Sequence, residues 1–385
     1  MLKFLKIFIV TILIIFKQSL GFAEDTKLKI GLLVPMTGEN NKLGNLLIKS
    51  TRLALNDIGT DKIEIYPRDT ANDPDKTLQS AKELKNIGTK IIIGPIFYKN
   101  IEYLKEITDI TFLSFTNKTE GLPKNVISSG VNSFSQLNSI KKFIENNELK
   151  KTIFLTPDLE YKSEIKKAIN QSQIKIKKHY IYNTEPTKPT KQVEKITNYK
   201  IRKQNLADEI KRVENLDLDD EVKKRRIEKL EKRYTIGKVG FDSVIISDFD
   251  ESLKSVITSL LYTDVSPKDK YFITFNQWFD KSLINETATQ PIYFPSINKN
   301  NLEKFIKKFS GIYGEIPNHL CLLSYDLVGL IYYLSLNTDF SKSNELFKKK
   351  NSFKGKIGVF DIEDNKINHR LNFYQISEGK LKEIF

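Results

Sequence analysis

The sequence predicts an α/β fold with two doubly wound sheets. Short apolar runs without polar alternation recur along the chain, the pattern of strands covered on both faces. Each run is followed by turn residues and then by a stretch of helical period, the alternation that builds parallel sheets. The 385 residues, 39% of them hydrophobic, suffice for two cores at roughly 100–200 residues per domain.

Taken in order, the runs at 30–34, 91–93, 111–115, 152–155, 244–246 and 271–275 read as strands. Between the first two, the stretch 43–58 places apolar residues at Leu43, Leu47, Ala54 and Leu55. The stretch 73–87 opens with Asp73-Pro74, a pair suited to a helix N-terminus. The first series ends near Asn117, and a second starts at Thr152 after the amphipathic stretch 134–149. A strand at 292–296 and helices at 302–313 and 320–336 come later. The last helix is apolar nearly all round (Leu322, Leu323, Tyr325, Leu327, Val328, Leu330, Ile331), so burial is expected. One segment breaks the pattern: 196–234 holds twelve basic and nine acidic residues. Its apolar residues fall only at helical spacing, at Leu206, Ile210 and Val213, then Ile227, Leu230 and Tyr234. With a turn at 215–220, this predicts a charged helical hairpin inserted into an α/β lobe.

Residues 1–23 have the parts of a secretory signal. Lys3 and Lys6 precede an apolar run at 7–16, and Gly21 and Ala23 stand at positions −3 and −1 of a cut after Ala23. Ten residues rise about 15 Å as a helix, short of a hydrocarbon core of about 30 Å, so no integral span is expected after cleavage. A periplasmic location follows. The single Cys321 allows no intrachain disulfide, and with His179, His319 and His369 it shows no metal-ligand spacing.

The formal net charge of +14 raises the question of nucleic acid. Yet 54 of the 62 basic residues are lysine and only eight are arginine, the residue favoured for bidentate recognition. A solvated lysine-rich surface is the better reading, with no nucleic-acid partner. Phosphate-cradling and dinucleotide glycine motifs are absent, as is a Gly-x-Ser-x-Gly elbow. These absences favour a binding protein over an enzyme, with no cofactor and no metal.

Several segments together resemble the type I periplasmic binding proteins, the leucine-binding protein superfamily. They are 29–38 (KIGLLVPMTG), Arg68-Asp69-Thr70, 91–95 (IIIGP), 112–117 (FLSFTN), Pro157-Asp158 ahead of Tyr161, 275–278 (FNQW), 325–330 (YDLVGL) and 353–358 (FKGKIG) with Phe360. The resemblance implies two Rossmann-like lobes joined by a hinge of three crossings, with a ligand clasped between them. It places 27–130 plus 291–345 in the first lobe and 131–290 plus 346–385 in the second, which carries the 196–234 insert.

In open α/β sheets ligands sit beyond the carboxyl ends of the strands. Those ends present Thr37 and Gly38, Gly94 and Pro95, Ser114, Thr116 and Asn117, Asp158 and Tyr161, Asp248 and Asp250, and Asn276 with Trp278. First-lobe hydroxyls and backbone N–H groups suit a carboxylate, while Tyr161, Trp278 and an aspartate suit an apolar or ammonium-bearing part. The leading expectation is a receptor that captures a small polar, amino-acid-like solute for an ABC permease. Two departures point elsewhere: bulky Ile96-Phe97-Tyr98-Lys99 follows the Gly-Pro turn where amino-acid binders carry small hydroxyl residues, and Lys162 replaces the glycine after the tyrosine. The 94–97 and 112–118 segments look as much like the penicillin-binding protein activators, which regulate a peptidoglycan synthase.

Overall fold

The computed structural model describes residues 27–336 and 346–385; the secretory signal expected at 1–23 lies outside them. Two parallel-rich sheets dominate. The first has the order β2-β1-β3-β4-β5, from β1 (Leu28–Val34), β2 (Ile63–Asp69), β3 (Ile91–Ile93), β4 (Thr111–Ser114) and β5 (Val126–Ser128), all parallel. The second has the order β15-β14-β10-β9-β8-β6-β7. Its parallel part is β6 (Thr152–Pro157), β7 (Lys178–Tyr182), β8 (Ser243–Ile246), β9 (Tyr271–Thr274) and β10 (Ile292–Ser296). Antiparallel β14 (Asn372–Ser377) and β15 (Lys380–Glu383) close its edge.

The helices α1 (Asn41–Ile58), α2 (Pro74–Asn86), α3 (Ser133–Asn146), α4 (Lys162–Ser172) and α5 (Lys188–Ile196) alternate with these strands. Local chemistry sets their starts: Asp73 accepts the Lys76 N–H at 2.8 Å ahead of Pro74, and Asn132 accepts the Ser135 N–H at 2.8 Å. The charged insert is a hairpin of α6 (Tyr199–Glu214) and α7 (Asp220–Glu231). Leu206 and Val213 of its seam are buried, but Tyr234 is 75% exposed, so the seam stops at Leu230. Helices α8 (Asp250–Tyr262) and α9 (Lys281–Asn285) lie on the second sheet's side. They are followed by α10 (Lys299–Tyr313) and α11 (His319–Ser335).

Two expected boundaries are corrected. Ile292–Ser296 pairs with β9 and β14 and so belongs to the second sheet, because its alternate side chains Ile292 and Phe294 complete that core. Residues 346–370 belong to the first lobe: Leu346, Phe347, Phe360, Ile362 and Ile367 pack into the core under α1 and α11. They form a small antiparallel sheet of β11 (Asn351–Lys354), β12 (Val359–Glu363) and β13 (Lys366–Arg370).

The chain therefore crosses between lobes near 129–132, 297–298 and 371. The crossings are bonded to one another: Asn132 Nδ2 donates to the Ile367 carbonyl at 3.1 Å, Tyr374 Oη to the Ile297 carbonyl at 3.0 Å, and Ser139 Oγ to the Leu371 carbonyl at 3.3 Å. Buried His369 reaches the Ser129 carbonyl through Nε2 at 2.9 Å. Burial pushes that imidazole down to about 4, so at neutral pH it is an uncharged packing element. Cys321 is fully buried in α11, and burial raises its thiol to about 11.

Candidate functional site

The strand-end loops of both sheets meet in a cleft that holds a pocket of about 300 Å³. Phe97, Tyr98, Thr116, Asn117 and Lys118 line it from the first lobe, with His319 and Leu320 at the start of α11, and Trp278 lines it from the second. Of the thirteen expected residues, Thr116, Asn117 and Trp278 line this pocket.

The others are engaged with the protein or stand at the rim. Thr37 Oγ1 donates to Asp69 at 2.6 Å, and the Met36 and Thr37 N–H groups donate to the same carboxylate at 2.7 and 3.2 Å. Burial raises the Asp69 carboxyl, but these bonds with that from Ala71 outweigh it and hold the group below the usual range. Gly38, at φ +77°, continues this loop and caps toward Asn41. Gly94 sits at φ +109°, where a Cβ would lie 2.3 Å from the Leu33 carbonyl, so the turn into Pro95 requires glycine. Ser114 is fully buried and donates to the Pro95 carbonyl at 2.8 Å. These residues build the first-lobe wall.

The second lobe repeats this. Asp248, 3% exposed, accepts from Tyr182 Oη, from Ser252 Oγ at 2.6 Å and from the Phe249 N–H at 2.9 Å. Tyr161 Oη donates to the Ser247 carbonyl at 3.2 Å, and its ring meets Phe249 edge-on. Burial, helped by the Asp248 charge, raises the phenol. Asn276 accepts from the Trp278 N–H at 2.9 Å and from Ser296 Oγ at 2.8 Å, leaving its buried Nδ2 without a partner. Asp158 is exposed and paired with Lys162, and Asp250 is exposed at the first turn of α8.

Among the described residues three polar or ring contacts span the cleft, and sequence reasoning missed all of them. Trp278 stacks on His319 with ring centroids 3.8 Å apart and planes at 14°. The Thr119 N–H donates to Glu164 of α4 at 2.9 Å, and its hydroxyl donates to the same oxygen. Glu120 pairs with Lys167 one turn further along α4. The buried Glu164 contributes most, since a hydrogen bond to a charged acceptor is worth about 1.5–3 kcal/mol. The stack adds about 0.5–1.5 kcal/mol and the exposed ion pair about 0–1 kcal/mol. Burial pushes His319 down to about 4, so the stacked imidazole is neutral at neutral pH. No local signal marks these pairs, whose members lie 41 to 47 positions apart; only the bulky Phe97-Tyr98 pair was visible as a departure.

The periplasmic binding protein family model matches residues 27–201. Among solved structures, the chain is similar to a putative branched-chain amino acid ABC transporter from Rhodospirillum rubrum, with TM-score 0.70 and 12% identity over 93% of this chain and 100% of that one. The fold is that of the type I periplasmic binding proteins. Proteins with this fold differ in what they do. The substrate-binding protein LivJ from Streptococcus pneumoniae, solved with isoleucine, gives TM-score 0.53 and 15% identity over 93% and 98% of the two chains. The C-domain of LpoA from Haemophilus influenzae, a regulator of PBP1A, gives 0.59 and 15% over 93% and 100%. The chain spans 60% of full-length LpoA. At these identities the likeness is one of fold. No curated protein sequence matches the chain. Among the described residues no helix is long and apolar enough to cross a membrane.

Proposed function

We propose that this protein is a non-enzymatic periplasmic regulator that binds a penicillin-binding peptidoglycan synthase, exported by the signal at 1–23. One observation carries the reading: most of the polar groups that would clasp an amino acid, among them Thr37, Ser114, Tyr161 and Asp248, are already bonded within the protein, and the cleft is bridged by Trp278–His319 and Thr119–Glu164. A zwitterion would have to break several of these bonds, each worth about 0.5–3 kcal/mol, before gaining its own. The departures at Phe97-Tyr98 and Lys162 agree, and LpoA is a precedent for a regulator on this fold.

Solute capture for an ABC permease stands as the second reading, favoured by the 300 Å³ pocket and by Lys118, whose ammonium lies 4.2 Å from the Tyr98 ring centre and faces that pocket. Thermal unfolding against amino acids, small peptides and aromatic acids separates the two. A ligand at 100 times its Kd would add about 2.7 kcal/mol and a clear rise in Tm. The regulator reading predicts no shift with any solute and co-purification with a peptidoglycan synthase. A solute that raises Tm, with no synthase bound, would sink it.

A further inference from the structure

The hairpin carries a feature that neither reading of the cleft uses. The chain has only eight arginines against 54 lysines, and five of the eight (Arg202, Arg212, Arg225, Arg226, Arg233) fall within 202–233. Arg202 is the anchor. It is buried, and its guanidinium donates to the carbonyls of Thr263, Asp264 and Gly237 and to Thr235 Oγ1, at 2.6–3.3 Å. The hairpin base is thereby fixed to the second lobe, which gives α7 a defined orientation.

Helix α7 has no buried residue. At 100° per residue, Arg225, Arg226 and Lys229 fall on one face, which exposed Val222 shares and which Lys232 and Arg233 of the following turn extend, while half-buried Ile227 and Leu230 fall on another. Since α7 packs against α6, the apolar face is the one used for folding and the basic face is left to solvent. Arg225 makes one long contact, 3.5 Å to Glu221, and is 79% exposed. In a chain whose basic residues are mostly lysine, arginine here supplies planar, bidentate donors matched to carboxylates.

We infer that the basic face of α7 is a docking surface for an acidic face of the partner protein. This rests on the regulator reading and adds where the partner is held. A lipid surface fits less well: it attracts lysine and arginine alike as charges, and interfacial helices present a broad apolar face, whereas α7 turns Ile227 and Leu230 toward α6 and exposes only Val222.

The test compares the unaltered protein with the triple variant R225E/R226E/R233E in binding to purified full-length peptidoglycan synthase in detergent, at two ionic strengths. A second triple variant, K304E/K307E/K380E, makes the same net charge change at exposed lysines elsewhere. The expected result is a loss of about tenfold or more for the arginine variant at low salt, a shallower salt dependence, and near-unaltered binding for the lysine variant. Equal binding by the unaltered protein and the arginine variant, or equal losses in both variants, overturns the docking surface and leaves the regulator reading intact. Failure of the unaltered protein to bind overturns the regulator reading and this inference with it. Flotation with phosphatidylglycerol vesicles that depends on the three arginines overturns it in favour of a membrane surface. Unchanged Tm values establish that the variants fold.

Discussion

Helices α11 and α7 are built from opposite material and show two ways in which a helix is held. In α11, ten of seventeen residues are buried, and the helix stands because its apolar surface is removed from water against α1 and the first sheet. In α7, none of twelve is buried, a length at which an isolated helix is marginal in water. It is supported by Asp219, which accepts the Glu221 N–H at 2.9 Å, by acids in its first turn, and by a narrow seam on α6. The buried helix meets the cleft at its N-terminal end, where His319 stacks on Trp278. The exposed helix offers its length as surface. A helix free of packing duty can spend its residues on recognition.

The sharpest way to break this contrast is to truncate both helices. Leu327→Ala, at a fully buried site in α11, should destabilise the protein by about 2–5 kcal/mol in denaturant titration. Ile227→Ala in α7 should cost about 1 kcal/mol or less. Equal losses would mean that the hairpin is part of the core.

The next effect concerns a charge inside the apolar helix. Asp326 is 2% exposed, its carboxylate accepting the Ile357 N–H at 2.7 Å. Burial pushes its carboxyl up to about 6, against the pull of the Ile357 and Lys356 N–H groups. The native state therefore keeps a proton that the unfolded chain releases near 3.8. The group's contribution is full below about pH 4 and is lost as pH rises through 6, a change of about 3 kcal/mol. His319 and His369, both pushed down to about 4 by burial, act with the opposite sign: their contribution is full above 6.5 and is lost as pH falls toward 4. Asp326→Asn should remove the falling term, so that stability climbs more steeply between pH 4 and 6 than in the unaltered protein. A parallel pair of pH profiles would refute the assignment.

Arg202→Ala tests the anchor. Its guanidinium makes four hydrogen bonds at the hairpin base, and the loss should be about 2 kcal/mol, with proteolysis concentrated in 199–231. Global unfolding without preferential cleavage of the hairpin would argue against a locally anchored arm. Smallest is Trp278→Ala, which removes a stack worth about 1 kcal/mol. Combined with Glu164→Gln, it should raise the radius of gyration in solution scattering as the lobes part. An unchanged radius would locate closure in the hinge itself.

The apolar strands β1, β3, β4, β6, β8, β9 and β10 and the buried character of α11 were legible because their signal is local, apolar period and turn residues within a few positions, whereas β2, β5, β7, β14 and β15 were not among the apolar runs. Partial blindness began with the small sheet of 351–370. Its strands are short and half polar, and nothing local tells which core Phe360 and Ile362 will enter. The candidate site was legible as a set of strand ends and illegible as chemistry. Ser114, Asp248 and Asn276 look like ligand groups in sequence, yet each has a partner 19 to 66 positions away.

The sequence by itself determined the α/β class, the two series of strands, the helical hairpin and the concentration of arginine within it, because composition and periodicity are properties of contiguous residues. Only the tertiary structure decided which lobe takes β10 and β11–β13, which polar groups are already bonded, and that Trp278 meets His319 across the cleft. Those outcomes depend on pairs brought together by packing, and the energy of a buried hydrogen bond or ring stack exists only once both members are placed.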